Sequence, residues 1–131
     1  MIKGINHITF SVSSLEVSVA FYQQVFEAAL LFRSDTVAYF DLAGVWLALN
    51  VEEDLPRYSS PQSYTHIAFT IGAEDVSLMK QRLNQLHIPL VPGRLRDAGE
   101  GLSLYFTDPD GHLLEVHAGD RETRINAYQN S

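Results

Sequence analysis

Three side chains able to hold a divalent metal sit at places that a repeated chain would bring together: His7, His66 and Glu115. His7 lies in "INHITFSV" (5–12) and His66 in "SYTHIAFTI" (63–71), each followed at once by isoleucine and two residues later by phenylalanine. Both stretches alternate like half-buried strands. In such strands His7 shares a face with Ile5 and Thr9, His66 with Tyr64 and Ala68, and Glu115 with Leu113 and His117. A single imidazole on an apolar strand face is ordinarily a core residue hydrogen-bonded to backbone. Two at equivalent places, with a carboxylate on a nearby strand, make instead the facial two-histidine, one-carboxylate set that binds a divalent ion and leaves coordination positions open.

Superposing the two hairpins by their glycines, Gly44 on Gly111, places Ala48 where the second has Glu115, so a fourth symmetric donor is missing. An open position on a metal is where a substrate is bound and polarised. His112 and His117 compete for a ligand place. His112, beside a turn, is expected at the surface, and His117 in support of the ligands.

The elements that must position these groups repeat as well. After the first histidine strand, "SSLEVSVAFYQQVF" predicts a helix capped by Ser14, with Val17, Ala20, Phe21 and Val25 at helical spacing. "VAYFDLAGVWLALN" (37–50) predicts two strands about Gly44, and a further strand is expected near Leu31. Module one thus spans residues 1–52, and the proline- and serine-rich, unpatterned stretch 53–62 is a linker. Module two (63–120) restarts with "YTHIAFTI". A helix in "AEDVSLMKQRLNQLH" follows, with Val76, Met79, Leu83 and Leu86 on one face, and then a hairpin turning at Asp108-Pro109-Asp110-Gly111. The order of elements recurs, which points to pseudo-symmetric halves.

Bulk properties remove several classes of function. The formal charge of −7, with no basic stretch, argues against nucleic acid or an anionic membrane surface as partner. No segment approaches the ~20 apolar residues that span a bilayer, so a soluble, cytoplasmic protein is expected. The absence of cysteine excludes disulfides, thiolate nucleophiles and sulfur-ligated zinc, and leaves nitrogen and oxygen donors for any metal.

These residues resemble the vicinal oxygen chelate superfamily and, within it, the metal-dependent fosfomycin resistance proteins. The likeness is carried by "GINHITFSV" (4–12), "GVWLALN" (44–50), "YTHIAF" (64–69), "GRLRDAGEGLSLYFTDPDGHLLEVHAGD" (93–120) and "RETRINAY" (121–128). It implies an α+β fold in one domain over residues 1–131: two paired βαβββ modules in a barrel-like sheet, a helical tail over 121–131, and a homodimer in which the modules swap. It further implies His7, His66 and Glu115 as ligands of manganese or magnesium, with Thr9 beside the opening epoxide oxygen. By the same resemblance Trp46, Tyr64, Arg94, Ser103, Tyr105 and Arg124 line the substrate pocket and hold the phosphonate of fosfomycin. Core packing is the alternative for Trp46, and surface ion pairing for the two arginines. "AGEGLS" (98–103) is similar to a potassium-binding loop through Glu100, Gly101 and Ser103; a solvated turn is the alternative.

The implied reaction is addition of a low-molecular-weight thiol to the epoxide. The hydrolytic subclass carries a glutamate before the glycine-tryptophan strand, and "RSDTVAYFDLAG" has none. Thr9 and "GEGLS" favour glutathione, whereas "QSYTHIAF" and "DPDGHLLEVHAG" sit close to the bacillithiol- or cysteine-using subclass. The alternatives are a fosfomycin epoxide hydrolase, a glyoxalase-type isomerase, a ring-cleaving dioxygenase, or a non-catalytic drug-binding resistance protein.

Overall fold

In a computed structural model, which describes residues 1–94 and 98–131, the chain is α+β with two sheets and three α-helices. It divides into two compact units, one formed by Met1–Ser59 with Asp108–Gly111, the other by Ser60–Thr107 with His112–Ser131.

The first unit runs β1 (Ile8–Val12), α1 (Leu15–Phe26), β2 (Ala29–Arg33), β3 (Val37–Leu42) and β4 (Val45–Val51), a complete βαβββ module. Its sheet has the order β1-β4-β3-β2, with β1 parallel to β4 and the other pairs antiparallel. The strand expected near Leu31 is β2, an edge strand exposed along its whole length and bulged between Leu30 and Phe32. Helix α1 begins where expected, the Ser14 hydroxyl accepting from the Val17 N–H. Its buried face is Leu15, Ser18, Val19, Tyr22 and Val25; Val17, expected on that face, is 54 % exposed. The helix packs on β3 and β4, where Phe40, Leu42, Leu47 and Leu49 complete the core.

The second unit runs β5 (Ile67–Thr70), a 3-10 turn (Ala73–Asp75), α2 (Val76–Gln85), β6 (Leu102–Thr107), β7 (Leu113–Ala118) and α3 (Arg121–Gln129), with sheet order β5-β7-β6. Val76, Met79, Leu83 and Leu86 are the shielded apolar side of α2 and its end, Leu83 fully buried. Where module one has β2, module two has, among the described residues, an antiparallel bridge between Val91 and Tyr105.

The "DPDG" turn is not the solvent-facing connection its composition suggests. Asp108 and Asp110 are buried and group with the first unit. Asp108 Oδ2 accepts from the Tyr22 hydroxyl at 2.8 Å and Asp110 Oδ2 from the Ser13 N–H at 3.0 Å, while Arg57 Nε lies 3.5 Å from Asp110 Oδ1. Arg57 also donates to the Ser11 and Glu52 carbonyls and the Ser11 hydroxyl. A stretch read as an unpatterned linker therefore carries an anchor.

Burial, reinforced by the neighbouring Asp108 and Asp110 charges, pushes the Tyr22 phenol well above its ordinary range. A phenol raised in the folded state contributes stability in full below about pH 10, and loses it as the pH climbs through the folded value. Tyr22→Phe removes a donor from buried Asp108 and is expected to cost about 1–3 kcal/mol in urea denaturation at neutral pH. The mutant's stability should also fall less steeply above pH 10 than that of the parent, a slope read from the same titrations.

Candidate active site

Strand register sets the places of the residues expected at a site. In the first unit β1 pairs with β4 so that Thr9 faces Ala48, and β3 sets Tyr39 across from Ala48. In the second, β5 pairs with β7 so that Ala68 faces Glu115, and β6 sets Tyr105 across from it. The two rungs are equivalent, and register alone reproduces the match of Ala48 with Glu115 that the hairpin glycines suggested.

Neither histidine lies within its strand. His7 and His66 immediately precede β1 and β5, because pairing begins only at Ile8 with Leu47 and at Ile67 with Leu114. Each is oriented by an oxygen close by in the chain. His66 Nδ1 lies 2.6 Å from the Tyr64 carbonyl, which can only accept, so this nitrogen carries the proton. His7 Nδ1 donates in the same way to Asn6 Oδ1 at 2.7 Å. With Nδ1 turned to these oxygens, Nε2 is the nitrogen that each ring has left for a further partner. Asn6 and the Tyr64 carbonyl escaped the sequence reading; an asparagine directly before a candidate ligand was the available signal.

His66 Nε2 meets Glu115 Oε1 at 2.9 Å, and Glu115 is 2 % exposed. A ring nitrogen facing a carboxylate oxygen at that distance needs a cation between them, either a proton on the ring or a metal ion. Hard and borderline divalent ions suit this nitrogen–oxygen pair. Among the described residues no three His, Asp or Glu side chains cluster closely enough to hold a metal. His66 and Glu115 belong to the second unit and His7 to the first. The two donors of the second unit fit a metal; the third stands on the other unit with its Nε2 presented.

The remaining side chains fall into two groups. In the second unit the Tyr64 and Tyr105 hydroxyls are 2.7 Å apart, and the His66 ring stands edge-on to Tyr105 and tilted against Tyr64. The Ser103 hydroxyl donates to Glu115 Oε2 at 2.5 Å and lies 2.7 Å from His117 Nδ1, while Arg124 Nη2 reaches His117 Nε2 at 3.1 Å. Arg94 Nη2 donates to Glu100 Oε1 at 2.7 Å, a bond that raises the already high guanidinium pKa. In the first unit Trp46, 39 % exposed, is no core residue: its ring lies 4.6 Å from that of His7 and 5.4 Å from that of Tyr39. Thr9 is exposed. His112, expected at the surface, is half-buried, and His117 is buried.

Within 98–103 Glu100 is 4 % exposed, with its carboxylate engaged by Arg94, while Leu102 is 55 % exposed. Gly101 adopts φ +84°, and a Cβ there would fall 2.2 Å from the Ala118 carbonyl oxygen. Helix α3 carries Arg124 in its first turns and starts at Asp120, whose Oδ1 accepts from the Thr123 N–H at 2.7 Å. That bond holds the Asp120 carboxyl below its usual range.

The family model of the Glyoxalase/Bleomycin resistance protein/Dioxygenase superfamily matches residues 4–116. The chain is 50 % identical over 128 residues to the metallothiol transferase FosB of Lysinibacillus sphaericus (strain C3-41), covering 98 % of this chain and 91 % of that one. To the FosB of Bacillus licheniformis it is 48 % identical, covering 98 % and 84 %. The crystal structure of a mutant of the genomically encoded fosfomycin resistance protein FosX from Listeria monocytogenes, complexed with Mn(II) and 1S,2S-dihydroxypropylphosphonic acid, superposes with a TM-score of 0.88 at 37 % identity, over 98 % of this chain and 99 % of that one.

Gly101→Ala is expected to cost about 1–3 kcal/mol in urea denaturation, from the strained backbone and the displaced Ala118 carbonyl. Because Asp120 titrates below an unfolded aspartate, its capping contribution is complete above about pH 4 and fades as the pH falls through the lower folded value. Amide exchange of α3 should therefore accelerate, relative to β7, over that acid range. Asp120→Asn, an equally good cap, should remove the pH dependence while keeping the helix.

Proposed function

The chain belongs to the Glyoxalase/Bleomycin resistance protein/Dioxygenase superfamily, and on that premise we propose that it inactivates fosfomycin by adding a low-molecular-weight thiol to the epoxide, using manganese or magnesium held by His7, His66 and Glu115. The observation that carries this reading is the His66–Glu115 pair, a ring nitrogen against a buried carboxylate oxygen at 2.9 Å. Support comes from the transferase name of relatives at about half identity and from the Mn(II)-bound fosfomycin resistance structure of the same fold.

When bound, the ion supplies Lewis-acid relief of the charge that builds on the epoxide oxygen. The protein's own residues do the positioning. Arg124 and Arg94 offer guanidinium forks to the phosphonate, joined by the Tyr64–Tyr105 hydroxyl pair, while Ser103 lines the pocket with its proton on Glu115. Trp46, beside His7, walls the substrate, and the exposed Thr9 hydroxyl stands for the oxygen as the ring opens. The sulfur–carbon bond forms as the carbon–oxygen bond breaks, and the thiol's proton is accounted for by the new hydroxyl. Glutathione is favoured by Thr9 and the 98–103 stretch, with bacillithiol and cysteine as the other thiols.

In this reading the working form is a homodimer with swapped modules, so that His7 of one subunit serves with His66 and Glu115 of another. The exposed Leu30, Leu31 and Phe32 of β2 supply apolar surface suited to subunit contact. Among the described residues no helix is long and apolar enough to cross a membrane.

Purified, metal-stripped protein supplied with manganese and fosfomycin should yield a thiol adduct by mass spectrometry with one of glutathione, bacillithiol or cysteine. His66→Ala should lower its rate at least a hundredfold, on the order of 3 kcal/mol of barrier. A diol formed without thiol would move the enzyme to epoxide hydrolysis, and no turnover with any of them would defeat the fosfomycin reading.

A further inference from the structure

The rung of the second hairpin next to Tyr105 and Glu115 on the same face pairs Ser103 with His117. Its counterpart in module one pairs Val37 with Asn50, beside the rung that carries Ala48. The hydroxyl–imidazole pair is thus found in the module that has the carboxylate and not at the matching rung of the module that lacks it. We propose that His117 is a positioning residue: fixed by Arg124, it aims the Ser103 hydroxyl proton at Glu115 Oε2 and so keeps Oε1 turned toward the metal. The proposal rests on the reading of Glu115 as a metal ligand.

The direction of the chain follows from what each group can donate. A guanidinium has donors and no acceptor, so His117 Nε2, 3.1 Å from Arg124 Nη2, must present a lone pair. In the neutral ring Nδ1 then carries the hydrogen, and at 2.7 Å it donates to Ser103 Oγ. With that acceptor position filled, the serine proton points to Glu115 Oε2, 2.5 Å away. Three hydrogen bonds therefore run one way, from Arg124 through His117 and Ser103 to the carboxylate. The ring is 8 % exposed and has room because residue 119 is glycine: a Cβ there would fall 2.6 Å from His117 Nε2.

A carboxylate turns on a soft terminal torsion, with no staggered well to hold it. Tethering Oε2 is what fixes which oxygen faces His66 Nε2. Outer partners of this kind typically change metal affinity by an order of magnitude or more when lost.

The test is manganese affinity of the full chain, read from the electron paramagnetic resonance of the free aqua ion, with no turnover involved. Asparagine places its amide N–H where His117 has Nδ1, and glutamine places its amide where His117 has Nε2. His117→Asn should bind manganese within about threefold of the parent, and His117→Gln about ten- to a hundredfold more weakly. Ser103→Thr, which keeps the hydroxyl, and Ser103→Ala, which removes it, should divide the same way and serve if a His117 variant fails to fold. Equal affinities for the two His117 variants, whether both intact or both weakened, would overturn the role assigned to Nδ1. Unchanged binding in Glu115→Gln would instead remove the metal-ligand reading, and the proposal with it.

Discussion

Glu115 is a carboxylate with almost no access to water, placed in the central strand of a three-stranded sheet. Left alone, such a charge costs several kcal/mol, so the surroundings must supply donors or a cation. Ser103 answers on one oxygen and His66 on the other, and each is itself fixed by a further partner. Much of the polar character of the second unit is organised around that demand. β6 contributes both Ser103 and Tyr105, β7 contributes His117, and α3 is capped by Asp120 in a way that brings Arg124 to the imidazole.

The two modules show how one architecture divides its labour. The ladder that in module two reads Ala68, Glu115, Tyr105 reads Thr9, Ala48, Tyr39 in module one. Each half keeps a tyrosine across from the central position and a histidine just ahead of its first strand. The carboxylate is confined to one half, and with it the serine and the second imidazole. Module one has a fourth strand in its sheet, whereas among the described residues module two has at the corresponding place a bridge at Val91.

Much of the fold was legible because periodicity and caps are local. Ser14, the shielded side of α2 and the strand at Leu31 are properties of neighbouring residues, and tertiary contacts did not override them. The candidate donors were legible for a different reason: the repeated His-Ile-x-Phe made two otherwise ordinary histidines conspicuous. What escaped was set by distant pairing. The start of β1 and β5 depends on where β4 and β7 offer partners, so the histidines fall just outside strands whose alternation extends through them. Val17 has the spacing of a core residue, but the buried side of α1 carries Leu15, Val19 and Tyr22. The burial of Asp108 and Asp110 could not be read locally, since a proline–glycine turn with two acids has the composition of a surface loop.

That burial bears on synthesis. Tyr22, Ser13 and Arg57 acquire their partners from residues 108–110, and the first unit is closed by a segment translated some fifty residues after the rest of it. Until residues 108–110 are made, Tyr22, Ser13 and Arg57 lack these partners. The hairpin that carries the candidate carboxylate also supplies the last segment of the first unit, so a chain truncated at Ser59 lacks both together.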